Sequence, residues 1–190
     1  MHLLLLAFLL LQAPYWESKP PKDWTNREVL AVLQQSPWTA KAYPLHKQLG
    51  DPDVSTYLAS AEPCALAEEE LRTRKQAGMD PLGQEYRVWK EDNAGKYIIL
   101  AVKLPDLSGL TDVGEMRDME KSYLIAGKKK VKLAMHFPPS STDPTLRLVF
   151  PRIEGAQRLS FQLYLPGTRG PDREVEFDTS NLLFKGRPTY

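Results

Sequence analysis

The chain has one cysteine, Cys64, so it can build neither an internal disulfide framework nor a multi-cysteine metal site. It has almost no net charge, with 25 Lys and Arg against 24 Asp and Glu and a formal balance of +1. Such a chain lacks the basic excess of a dedicated nucleic-acid binder and selects no anionic partner through its overall field. Histidine is scarce: only His2, His46 and His136 are available for acid–base or metal chemistry. No apolar run approaches the roughly 20 residues of a membrane-spanning helix. Motifs are missing too. There is no Gly-x-Ser-x-Gly elbow, no His-Glu-x-x-His helix, no Cys-x-x-Cys and no Gly-x-Gly-x-x-Gly. Gly127-Lys128 lacks the glycine before it and the Ser/Thr after it that a phosphate loop requires, and Asp51 and Asp53 flank Pro52 without calcium-loop spacing.

What is abundant is proline, 16 residues, which breaks the chain often and keeps helices short. The N-terminus carries nine apolar residues, Leu3 to Leu11, followed by Gln12-Ala13. That length matches the core of a secretory leader, although the segment before it lacks Lys and Arg and Pro14 follows the candidate cleavage position. A buried N-terminal element is the alternative. The expected division is a leader over residues 1–13, a helical segment with a tether over 14–82, and a strand-rich domain over 83–190.

Thr25-Asn26-Arg27-Glu28 spells a capping box, with Trp24 and Val29 in the staple positions and Ser36-Pro37 as the stop. A second helix is expected from about Pro63 to Ala77, capped by Gly78, with Glu68–Arg72 and Glu70–Arg74 as ion pairs four residues apart. Cys64, Ala67 and Leu71 give it only a thin apolar stripe, so its charge run reads as a solvated face. From Gln84 onward the expectation is strands, beginning with the alternating Tyr86-Arg87-Val88-Trp89 and a central strand over Tyr97–Leu104. Pro105–Gly114 reads as a loop, and Glu115–Lys121 as one or two helical turns. Tyr123–Ala126 and Val131–Phe137 flank a turn at Gly127–Lys130. Leu159, Phe161, Leu163 and Leu165 alternate with Ser160, Gln162 and Tyr164, the pattern of a half-buried antiparallel strand. The expected fold is α+β and mostly β: short N-terminal helices, then an antiparallel β-sandwich of immunoglobulin-like architecture without the disulfide.

The element Trp24-Thr25-x-x-Glu28-Val29-x-x-x-Leu33-x-x-Ser36-Pro37-Trp38, soon after an apolar leader, resembles a family of short exported bacterial proteins of acidobacterial type. Tyr86-Arg87-Val88-Trp89, Phe150-Pro151-Arg152, and Glu174-Val175-Glu176-Phe177 leading to Phe184-Lys185-Gly186 are similar to that family as well. The resemblance implies export and a helix-plus-sheet layout. It carries over no activity, cofactor or site residue.

No catalytic, cofactor-binding or metal-ligating residue is therefore assigned from the sequence, and no cofactor is expected. His136 reads as a face residue of a strand. Cys64 with His46 would make a thiol–imidazole pair, but Glu68 one turn after Cys64 raises a thiol pKa, so Cys64 reads as packing. Lys128, Lys129 and Lys130, with Lys132, form a basic cluster that either meets an anionic surface or keeps an edge strand soluble. Trp24 and Trp38 either dock the first helix or, if exposed, anchor a partner. The function expected is a secreted or periplasmic, non-enzymatic binding or accessory module whose partner is another envelope protein. The alternatives are an envelope hydrolase using carboxylates, and a carbohydrate- or lipid-binding β-sandwich.

Overall fold

The computed structural model describes residues 13–46, 50–75, 81–104, 117–140 and 143–190. The apolar run Leu3–Leu11, the Gly78 cap and the Pro105–Gly114 loop expected from the sequence lie outside them. Among the described residues no helix is long and apolar enough to cross a membrane.

Helices α1 (Tyr15–Ser18), α2 (Asn26–Gln35), α3 (Glu62–Lys75) and α4 (Pro81–Asp92) accompany a nine-stranded antiparallel sheet among the described residues. Its strands are β1 (Thr39–Pro44), β2 (Val54–Leu58), β3 (Tyr97–Lys103), β4 (Tyr123–Ala126), β5 (Lys129–Lys132), β6 (Met135–Phe137), β7 (Thr145–Pro151), β8 (Arg158–Tyr164) and β9 (Asp172–Asp178). The order across the sheet is β5-β4-β8-β9-β1-β2-β3-β7-β6, and a small hairpin, β10 (Leu183–Phe184) with β11 (Arg187–Pro188), stands apart. The fold is α+β and mostly β, with a sandwich-like curled sheet.

The curl follows from the strand order. β5 and β6 are opposite edges of the sheet, yet only Leu133 and Ala134 separate them in the chain. The Leu133 amide donates to the Ser122 carbonyl beside β4 (3.2 Å), and the Ala134 amide donates to Val149 of β7 (2.8 Å). Two residues thus tie both edges together, so the two halves of the sheet face each other. Phe150 of β7 meets Phe161 of β8 edge to face at 5.3 Å, and Phe161 meets Phe177 of β9 at 6.1 Å.

Capping and alternation behave as the sequence implies. Thr25 accepts from the Glu28 amide while Glu28 reaches back to the Thr25 amide, and Trp24, Val29, Val32 and Leu33 are buried. In β8, Leu159, Phe161 and Leu163 point into the core, while Ser160 and Gln162 donate to Glu174 on the outer face. β3 and β7 are buried along nearly their whole length because both faces are covered, one by the opposing half of the sheet and one by helices.

Several expectations need correction. Tyr86–Trp89 lies in α4, not in a strand: Tyr86 and Trp89 are three residues apart on one helical face against Phe137, at 5.2 and 5.3 Å, and Val88 is exposed. Val131–Phe137 is two strands on opposite edges. β1 and β2, which the sequence analysis did not anticipate, lie in the middle of the sheet between β9 and β3.

Candidate functional site

Antiparallel register places opposite residues on one face. Tyr57 of β2 faces Ala101 of β3, Ala101 faces Arg147 of β7, and Arg147 faces Phe137 of β6. Tyr57, Arg147 and Phe137 therefore stand in one row on the outside of the sheet, with Thr145 and Lys103 in the next row. α3 and α4 lie over this row, and α2 packs beside α3. Between helices and sheet is a cavity of about 870 Å³, within the range of small-molecule sites.

The cavity floor is an ionic cluster built on Glu68 of α3. Its carboxylate accepts from the Tyr57 hydroxyl (2.9 Å), from Arg147 Nη2 (3.0 Å) and Nε (3.3 Å), and from Lys90 Nζ of α4 (3.1 Å). Asp143 takes the other side of the same guanidinium, at 2.7 Å from Nη1. The Arg147 side chain is only 8% exposed and that of Glu68 14%. Burial pushes the Glu68 carboxyl up, but the charges of Lys90 and Arg147, with hydrogen bonds from Lys90 and Tyr57, outweigh it and bring the pKa down to about 2. Glu68 is thus a fixed anion. It also corrects the sequence reading once more: the charge run of α3 is not simply a wet face. Arg72 pairs with Glu69 instead, while Glu70 and Arg74 do pair, at 2.9 Å.

Tyr86 of α4 sits beside this cluster. The Arg147 guanidinium stacks on its ring at 4.3 Å from the centroid, and the Lys90 ammonium lies 5.4 Å from it. The Tyr86 hydroxyl is buried and makes no hydrogen bond. Burial, with the nearby Glu68 charge, pushes it up to about 12 against the opposing charges of Lys90 and Arg147, so it stays protonated as a donor. The rest of the wall is apolar over most of its surface, through Leu30 and Leu33 of α2, Ala65 and Leu71 of α3, and Leu104 after β3, with Glu69, Arg72, Arg87, Glu91 and Lys103 set among them.

The residues singled out from the sequence lie elsewhere. Trp24 is 3% exposed and donates from Nε1 to the Lys19 carbonyl (3.1 Å). Trp38 is fully buried and donates to the Thr189 carbonyl (2.9 Å). Both pack the N-terminal helices, and Trp16 adds an edge contact to Trp38 at 6.0 Å. Lys128, Lys129 and Lys130 are exposed on the β4–β5 hairpin, and Lys130 lies 3.5 Å from the Tyr123 ring centroid. His136 is half-buried on edge strand β6, where burial lowers its pKa, and His46 is exposed. Cys64 is buried at the base of α3; burial, with Glu68 four residues on, raises its thiol pKa. Apart from the three contiguous lysines, the structure brings none of these together. The cavity is invisible to local spacing because Arg147 and Lys90 meet Glu68 from 79 and 22 residues away.

Among the described residues no group of three or more His, Cys, Asp or Glu is arranged to hold a metal ion. Comparison with protein-family models, with curated proteins and with solved structures gives no match.

Proposed function

We propose that the protein is a non-enzymatic binding module that holds a small organic ligand in the cavity between α2, α3, α4 and the sheet. The observation that carries this reading is the combination of about 870 Å³ of space, a mostly apolar wall and a buried Tyr86 hydroxyl without a partner. A buried polar group left unpaired costs stability, and ligand sites are where such a cost is offset. The apolar run Leu3–Leu11 and the resemblance drawn from the N-terminal element support placing the module outside the cytoplasm. Because Trp24 and Trp38 are buried, the ligand reading stands ahead of contact with an envelope protein through those tryptophans.

The hydrolase reading has less to rest on. General acid–base work needs carboxylates whose proton affinities are set apart near the working pH. Glu68 and Asp143 share one guanidinium, and Glu68 is held fully ionised.

The test is methyl NMR on leucine-labelled protein with a panel of small amphiphiles of both charges and none. The expected outcome is that at least one member shifts the Leu30, Leu33, Leu71 and Leu104 methyls together, and that Ala65→Phe, which fills the wall, abolishes the shift. Shifts that are absent for the whole panel, or that survive Ala65→Phe, overturn the reading.

A further inference from the structure

The cavity carries more hydrogen-bond donors than its own acceptors use. Each Glu68 oxygen is already engaged: Oε1 by Tyr57 and Arg147, Oε2 by Lys90. Asp143 is engaged by Arg147 and Glu69 by Arg72, and Glu91, the remaining carboxylate among the described lining residues, is exposed to solvent. Against these, Lys90 has three N–H donors, one on Glu68 and one turned toward the Tyr86 oxygen, which leaves one to spare, and the Tyr86 O–H donates to nothing. Tyr86 and Lys90 are four residues apart on α4, hence on one face of that helix, and both line the cavity. Among the described residues of the lining, cationic side chains exceed carboxylates by one. Donor surplus and charge point the same way, toward an acceptor-rich anionic group, while the leucines call for an aliphatic body.

Resting on the binding reading above, we infer that the ligand is an aliphatic carboxylate whose head is held by the Tyr86 hydroxyl and the Lys90 ammonium and whose chain lies against Leu33 and Leu71. The carboxylate gives the hydroxyl the acceptor it lacks and uses the spare valence of the ammonium in a charge-assisted pair. The leucine walls shed water around the chain. Lys90 is then the residue that separates an acid from an alcohol of the same length, and the Tyr86 donor adds most to the acid.

Decanoate, decanol and decyltrimethylammonium, each below its aggregation limit, test this on the full chain by the same methyl titration. Decanoate is expected to bind about tenfold or more tightly than decanol, the worth of a hydrogen bond to a charged group, and the ammonium compound most weakly. Tyr86→Phe is expected to lose about tenfold for decanoate and clearly less for decanol, whose neutral oxygen accepts a weaker bond than a carboxylate does. It should leave the urea midpoint unchanged or higher, since the deleted hydroxyl has no partner in the free protein. If decanol or the ammonium compound binds as tightly as decanoate at the same methyls, or if Tyr86→Phe binds decanoate unaltered, the carboxylate assignment is overturned while the cavity remains a site. If no member of the panel above reaches those methyls, the binding reading falls, and this assignment with it.

Discussion

Glu68→Gln tests the logic of the cavity floor. The substitution keeps the shape of the side chain and removes the charge that faces Arg147 and Lys90, at 3.0 and 3.1 Å. The size of the loss follows from linkage. The carboxyl has an ordinary value of 4.5 and a folded value of about 2, and this difference corresponds to about 3 kcal/mol at neutral pH. That agrees with the roughly 3–5 kcal/mol seen when one partner of a buried pair is removed. The sign is that of a depressed acid. The stabilisation is complete above the unfolded pKa and fades as pH falls from about 4.5 toward 2, and about 2 of the 3 kcal/mol is gone by pH 3. Urea unfolding of the natural protein and of Glu68→Gln at pH 7 and pH 3 reads this directly. Other carboxylates titrate in both proteins and drop out of the difference. The gap between the two should shrink from about 3 kcal/mol at pH 7 to about 1 at pH 3. A gap below 1 kcal/mol at pH 7, or one of the same size at both pH values, refutes the account of Glu68 as a fixed buried anion.

Other outcomes follow from single features. Trp38→Ala should cost about 3–5 kcal/mol in chemical denaturation, because the indole is fully buried and its Nε1 donates to Thr189; a loss under 1 kcal/mol would mean the site collapses around the gap. Thr25→Ala should lower stability by about 1 kcal/mol through loss of the cap on α2, read as a shift in urea midpoint at constant slope. Cys64 should resist iodoacetamide in the native state at pH 8 and react fully in urea, since burial removes both access and thiolate; native labelling on the time scale of a free thiol would contradict its placement. Lys185→Asn should raise the melting temperature slightly. Lys185 has φ 50° and is followed by Gly186 at 72°, a pair of positive φ angles suited to a type I′ turn, where asparagine is at home and lysine is strained.

Local chemistry was legible in the sequence wherever a feature is complete within a few residues. The capping box needs only Thr25 and Glu28, and the inward set of β8 needs only its own alternation. α4 was misread because Tyr86-Arg87-Val88-Trp89 alternates over four letters, too short a window to separate period 2 from 3.6. Pro81 at the first helical position, and Lys90 one turn beyond Tyr86, were the signals that favoured a helix. β2 carried a usable signal in Val54, Thr56 and Tyr57, whereas β1, with alanines at alternate positions, carried almost none. The cavity floor was out of reach for a different reason. Spacing assigns Glu68 to Arg72 four residues on, and only the folded sheet supplies the stronger partner, Arg147.

The position of β1 has a kinetic consequence. β1 pairs with β2 a dozen residues away on one side and with β9 on the other, where Tyr43 faces Glu174 and the buried Arg173 donates to the Ala42 carbonyl across 131 residues. The centre of the sheet therefore closes only when the two ends of this stretch have found each other, a contact of high sequence separation whose loop entropy must be met before any reward arrives. The β1–β2 hairpin, with β3 and β7, can assemble early, but it waits with one flank of β1 unpaired until β9 docks. Refolding should accordingly be slow for a chain of this size. Substitutions at Arg173, which also donates to the carbonyls of Pro52 and Arg169, should mainly accelerate unfolding and leave the folding rate nearly untouched.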